Sequence, residues 1–165
     1  ACRSPRPPLH EILSSPDGRL QQDLVFKGNL AVGANTSYDS DRYNGSAMTF
    51  SVSPRDGVSP ARLEKAALAS WQRALHGISD GAVTRAKQRL LDTATLARDS
   101  ISTPAYVFGM ALTTGQTVAD VEQWPRRIAT ISTAEVRRAA QAFLSTPLLT
   151  AQLLPAHDAP KPGSE

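Results

Sequence analysis

The sequence of 165 residues is poor in the residues that build most reactive centres. It has one cysteine, Cys2, so no disulfide can form within the chain and no cysteine-based zinc cluster is available. Its three histidines are His10, His76 and His157, and none has a second histidine at helical ligand spacing. Neither H-E-x-x-H nor H-x-x-E-H occurs, and His10-Glu11 lacks a partner histidine, so a protein zinc site within the chain is not expected. There is no G-x-S-x-G, which removes the usual elbow for a nucleophilic serine, and no base lies near Cys2 in the sequence. Gly18, Gly28 and Gly33 fit neither phosphate-loop pattern. No stretch is long and apolar enough to span a membrane. The net charge is only +3, and the basic residues are interspersed with acidic ones, as in Arg62/Glu64 and Arg137/Glu135. That distribution describes a solvated surface and no nucleic-acid partner; a helix-turn-helix reading fails because no helix has a basic, exposed face.

The chain is long enough for one domain with its own core. ACRSPRPPLH at the start is rich in Pro and Arg, and the end is Pro-rich and polar. Residues 1–8 are therefore expected to be a tail or linker, 9–156 a single domain, and 157–165 a disordered tail. The chain begins at Ala1 rather than Met and is expected to be processed or cut from something longer.

Periodicity then places the elements. Leu9, Ile12 and Leu13 recur at helical spacing up to a break at Ser14-Ser15-Pro16-Asp17-Gly18, and a short helix follows, stopping at Gly28. Alternation marks a strand over Leu30–Tyr38 and a second over Ala47–Ser53, with Met48, Phe50 and Val52 expected on the buried face. The polar loop 39–45 between them favours an antiparallel pair; Asp39 and Asp41 in it could suggest a cation, but a plain loop explains them. Ser59-Pro60 opens a helix with an apolar stripe Leu63, Ala67, Trp71, Ala74 and Ile78. Another helix starts near Ser79-Asp80, and Pro104 interrupts it or begins the next, which runs to Gly115. Thr117 with Asp120, and Ser132 with Glu135, are capping patterns. Leu148–Leu154 reads as a buried strand. The expected class is α+β: an antiparallel-rich sheet with helices packed on one face.

Five segments in order resemble the later half of bacterial zinc peptidases of the insulinase/pitrilysin family. They are EILSSPDGRLQQDLVFKGNLA, the Phe50–Val58 strand and turn, SDGAVTRAKQRLL, the stretch from RDSISTPAYVFGMALTTG through WPRRIATISTAEVRRAAQAFL, and LLTAQLLPA. Together they cover about Glu11 to Ala156. The resemblance implies a non-catalytic C-terminal domain, with catalysis and zinc in an N-terminal partner domain that carries H-x-x-E-H. The two would enclose a peptide substrate. It also implies a periplasmic or envelope location and allows a homo- or heterodimer. It aligns Arg19 with the Arg of the family's S-R-L segment, a candidate substrate contact. The competing reading of Arg19 is a structural arginine on helix-end carbonyls. Two other positions that touch substrate in some relatives fall on Val25 and Val32, which cannot replace an Arg and a Tyr. A scaffold or protein-interaction domain of the same fold is the alternative function.

Overall fold

The computed structural model describes residues 6–15, 18–39, 47–99 and 102–154. Helix α1 (Arg6–Ser14) leads to the short α2 (Arg19–Gln21), which widens into a π-helical turn, Gln22–Phe26. Strands β1 (Ala31–Asp39) and β2 (Ala47–Pro54) follow. Then come α3 (Pro60–His76), α4 (Asp80–Leu96) with a 3-10 turn Ala97–Asp99, and α5 (Ser102–Thr113). The last helices are α6 (Val118–Glu122), α7 (Trp124–Ala129) and α8 (Thr133–Leu144). This is the expected α+β class.

β1 and β2 are antiparallel, as expected, with Thr36 opposite Phe50 and Tyr38 opposite Met48. The register shifts between Ala31 and Gly33, which adds a residue at Val32 and bends the strand. The alternation along β2 is as read from the sequence, but Met48, Phe50 and Val52 are half-buried rather than buried. The sheet has two strands, so its apolar face is only as wide as the hairpin.

Two adjoining apolar clusters hold the fold together. The larger joins Leu9, Leu13 and Leu20 to Trp71, Leu75, Val83, Ile128 and Val136, so α1, α2, α3, α4, α7 and α8 share one core. The smaller puts Leu24, Ala31 and Ala34 against Leu63 and Ala67 of α3. Phe50 joins the two, stacked on Trp71 with ring centroids 5.3 Å apart. Polar clips pin the helices: Arg89 donates to Glu11 at 2.6 Å, Lys87 to the Ile131 carbonyl at 2.8 Å, and Arg137 to the Ile78 carbonyl at 3.0 Å.

Helix ends follow the local chemistry. Thr117/Asp120 and Ser132/Glu135 each form reciprocal capping boxes, and Ser79 accepts from the Ala82 amide. Ser59-Pro60 opens α3 as expected. Ser59 occupies the cap position of α3, but its side chain accepts no capping hydrogen bond, and Pro60 at the first helical position does the work of starting the helix. Ile78, expected in the α3 stripe, lies past the helix end and is still buried.

Three further expectations are corrected. The amino-terminal stretch is not all tail: α1 begins at Arg6, and Pro8 is buried because the helix packs on α4 and β1. The helix after Gly18 is not one regular element, since its second half takes the wider π pitch. Leu148–Leu154 is neither strand nor buried. It runs without regular structure, with Leu149 97% and Leu153 101% exposed, and pairs with no strand among the described residues. The loop 40–46, Cys2 and His157 lie outside the described residues.

Candidate functional site

Arg19 opens α2 directly after Gly18. A Cβ at Gly18 would sit 2.7 Å from the Ser15 carbonyl oxygen, so only glycine lets the chain turn this tightly out of α1. At the other end, a Cβ on Gly28 would lie 2.2 Å from the Asp23 carbonyl oxygen. Asn29 then takes a left-handed φ of 50° to launch β1. Both turns fix the α2 segment against α3.

The Arg19 side chain is exposed and lies over the C-terminal end of α3, where a Cβ on Gly77 would be 3.4 Å from its Cζ. A cation there meets the negative end of the helix. One turn on, Asp23 Oδ2 accepts from Ser70 Oγ at 3.0 Å and from Arg73 Nη2 at 2.8 Å and Nε at 3.2 Å. Partial burial pushes the Asp23 carboxyl up. The Arg73 and Ser70 hydrogen bonds and the Arg73 and Arg19 charges outweigh it, leaving the group below the ordinary carboxylate range. The cluster holds one carboxylate, neutralised by arginine, and a fully buried serine, so it ties α2 to α3 and has no free base to activate Ser70. Residues 47 and 50 apart in the chain meet here, and no local signal announces such a pairing.

Val25 and Val32 part company. Val25 packs partly buried against the smaller cluster, whereas Val32 is 60% exposed at the bulge of β1. The two do not form one surface with Arg19.

The principal cavity lies elsewhere, between α5 and the layer formed by α1, α4 and α7, with a volume of about 850 Å³. Leu90, Phe108, Met110, Val121, Trp124 and Ile128 supply an apolar lining. At its mouth His10 Nε2 donates to the Thr36 carbonyl at 3.0 Å, which fixes the proton on that nitrogen, and its ring faces Tyr38. The helical spacing of Leu9, Ile12 and Leu13 is the sign in the sequence that His10 belongs to a helix. Asp120, also at the rim, pairs with Arg127 at 2.9 Å and closes its own capping box. The Thr117 side chain and backbone and then Arg127 hold its carboxyl well below the usual range.

His76 is the last residue of α3 and is exposed. Among the described residues no group of three His, Cys, Asp or Glu could hold a metal ion. The described residues do not fit a zinc centre.

No protein-family model matches the chain, and no curated protein sequence matches it with significance. Solved structures do. A "putative zinc protease" from Bordetella pertussis Tohama I superposes with a TM-score of 0.71 at 20% identity, over 85% of this chain and 79% of that one. The inactive peptidase domain of a like-named protein from Bordetella parapertussis gives 0.72 at 20% identity, over 84% and 75%. A protease from Helicobacter pylori gives 0.74 at 17% identity, over 85% of this chain and 34% of that one, so the chain spans about a third of its length. The chain thus has a zinc-protease-like α+β fold. At these identities the likeness establishes the fold and nothing of the chemistry.

Proposed function

We propose that this chain is a non-catalytic domain of an insulinase/pitrilysin-type zinc metalloendopeptidase. It forms the wall of a peptide chamber opposite a zinc-bearing N-terminal domain of the same protein. The observation that carries the reading is the fold, shared over most of the chain with an inactive peptidase domain of a zinc-protease candidate. The five ordered sequence segments agree with it. Hydrolysis by this chemistry needs a metal-bound water and a general base beside it. Both would belong to the partner domain, and zinc with them; this chain would shape the space around the peptide. The exposed Arg19 would be its one charged contact with the substrate. Val25, packed against the smaller cluster, and the exposed Val32 would add no polar grip at the positions where some relatives have an Arg and a Tyr. Export to the periplasm or cell envelope belongs to the same reading.

The test is metal stoichiometry. The chain is purified free of metal, zinc is added back, and bound zinc is counted after gel filtration. The reading expects none at stoichiometric level. Tight one-to-one zinc on tetrahedral protein ligands would overturn it. A scaffold role for the same fold is distinguished by the N-terminal partner domain: a partner without H-x-x-E-H would favour the scaffold.

A further inference from the structure

The two edges of the hairpin are treated differently. In an antiparallel pair the N–H and C=O of one residue point to the same side, and successive residues alternate. The carbonyls of Ala34 and Thr36 accept from Gln21 Nε2 at 2.6 Å and His10 Nε2 at 3.0 Å, both outside the sheet. These residues therefore point away from β2, and the outer edge of β1 is covered by side chains of α1 and α2. Their partners across the ladder are Val52 and Phe50, and Met48 follows in the same phase opposite Tyr38. The backbone groups of Met48, Phe50 and Val52 must then point out of the far edge of β2, where the sheet has no further strand among the described residues.

That second edge is lightly protected. Between Ala47 and Ser53 there is no charge and no proline, the two devices that commonly stop strand addition, and Pro54 at the end of β2 is the one such residue on the strand. The same molecule also holds an apolar segment without regular structure, paired to no described strand. Residues 148–154 contain no charge, are set off by Pro147, and leave Leu149 and Leu153 fully exposed. Gln152 of this segment donates to Glu64 on α3 at 2.9 Å. Open edge and unpaired segment are similar in length, β2 having eight residues.

We propose that the β2 edge of one copy accepts residues 148–154 of a second copy, reciprocally, so that two chains pair about a two-fold axis. Each added strand would satisfy the outward amides and carbonyls of Met48, Phe50 and Val52, cover their half-exposed side chains, and bury leucines now in water. The inference stands on the sheet and the terminal segment and does not depend on the peptidase reading.

The full chain is tested in a Cys2→Ser background. Sedimentation velocity over a range of concentrations should show reversible dimerisation. Val52→Pro, which removes an outward amide, and Leu153→Lys, which alters a side chain with no contacts to lose, should each weaken it at least tenfold. Circular dichroism checks that both variants stay folded, and Leu153→Lys keeps the test valid if Val52→Pro does not. Mixing Ser51→Cys and Ala151→Cys proteins with a short bismaleimide should give a 51-to-151 crosslink at twice the chain mass. A monomer at every concentration, a dimer unaffected by Leu153→Lys, or crosslinking of 51 to 51 would overturn the proposal. So would a 51-to-151 link within single chains carrying both cysteines.

Discussion

Helices α5 and α8 have the same length, 12 residues, and opposite fates. α8 alternates apolar and polar residues at helical spacing, and Val136 and Ala140 are driven fully into the main core. α5, STPAYVFGMALT, is the more apolar of the two, yet only Ala111 is buried and Tyr106 is 68% exposed. Total hydrophobicity does not decide burial; a stripe facing an available surface does. α5 packs mainly on α6 and the 3-10 turn before it and arches over a cavity. The apolar segment after α8 behaves similarly, having no strand among the described residues to lie against. One part of the molecule is a closed core; the other is apolar surface awaiting cover.

Core truncation should separate the two regions most sharply. Leu20 is 1% exposed, and Leu20→Ala should cost about 2–5 kcal/mol in urea unfolding. Leu112→Ala on α5, where the side chain is 55% exposed, should stay within about 0.5 kcal/mol. Equal losses at both positions would erase the distinction.

The polar clip between α2 and α3 should show a smaller effect with a definite pH sign. Asp23→Asn removes a charge-assisted pair whose arginine is half in water, so about 1 kcal/mol is expected at neutral pH. The folded Asp23 titrates below its ordinary value of 3.8. Its contribution is therefore complete above that value and fades as pH falls through the lower folded one. As pH falls below the ordinary value of 3.8, the Asn variant should lose stability less steeply than the parent chain. Parallel curves would mean the clip contributes nothing.

Capping gives the finest comparison. Ser132→Ala removes the cap of α8 and should cost about 1 kcal/mol. The matching Thr117→Ala acts on α6, which has no buried residue, and should cost global stability less while raising amide exchange through α5 and α6.

How far the sequence carried the fold can be judged from single positions. The hairpin alternation, the Ser132 and Thr117 caps and the Leu63–Ala67–Trp71 stripe are local patterns, and each is found where it was expected. Leu148–Leu154 has an equally good strand pattern and failed, because a strand needs a neighbour and periodicity does not report one. Ser59-Pro60 opens α3 where it was read, with proline rather than a capping hydroxyl setting the helix start. For the candidate site, Arg19 was visible through family resemblance alone. Its seat at the end of α3, the Asp23–Ser70–Arg73 link and the cavity under α5 all arise from residues far apart in the chain.

The most direct test of the central proposal compares peptide hydrolysis by this chain alone with hydrolysis by the full-length protein that contains it, on one broad peptide library with zinc supplied. The account expects no cleavage by the chain alone and zinc-dependent cleavage by a full-length protein bearing H-x-x-E-H. Zinc-dependent cleavage by the isolated chain would contradict it.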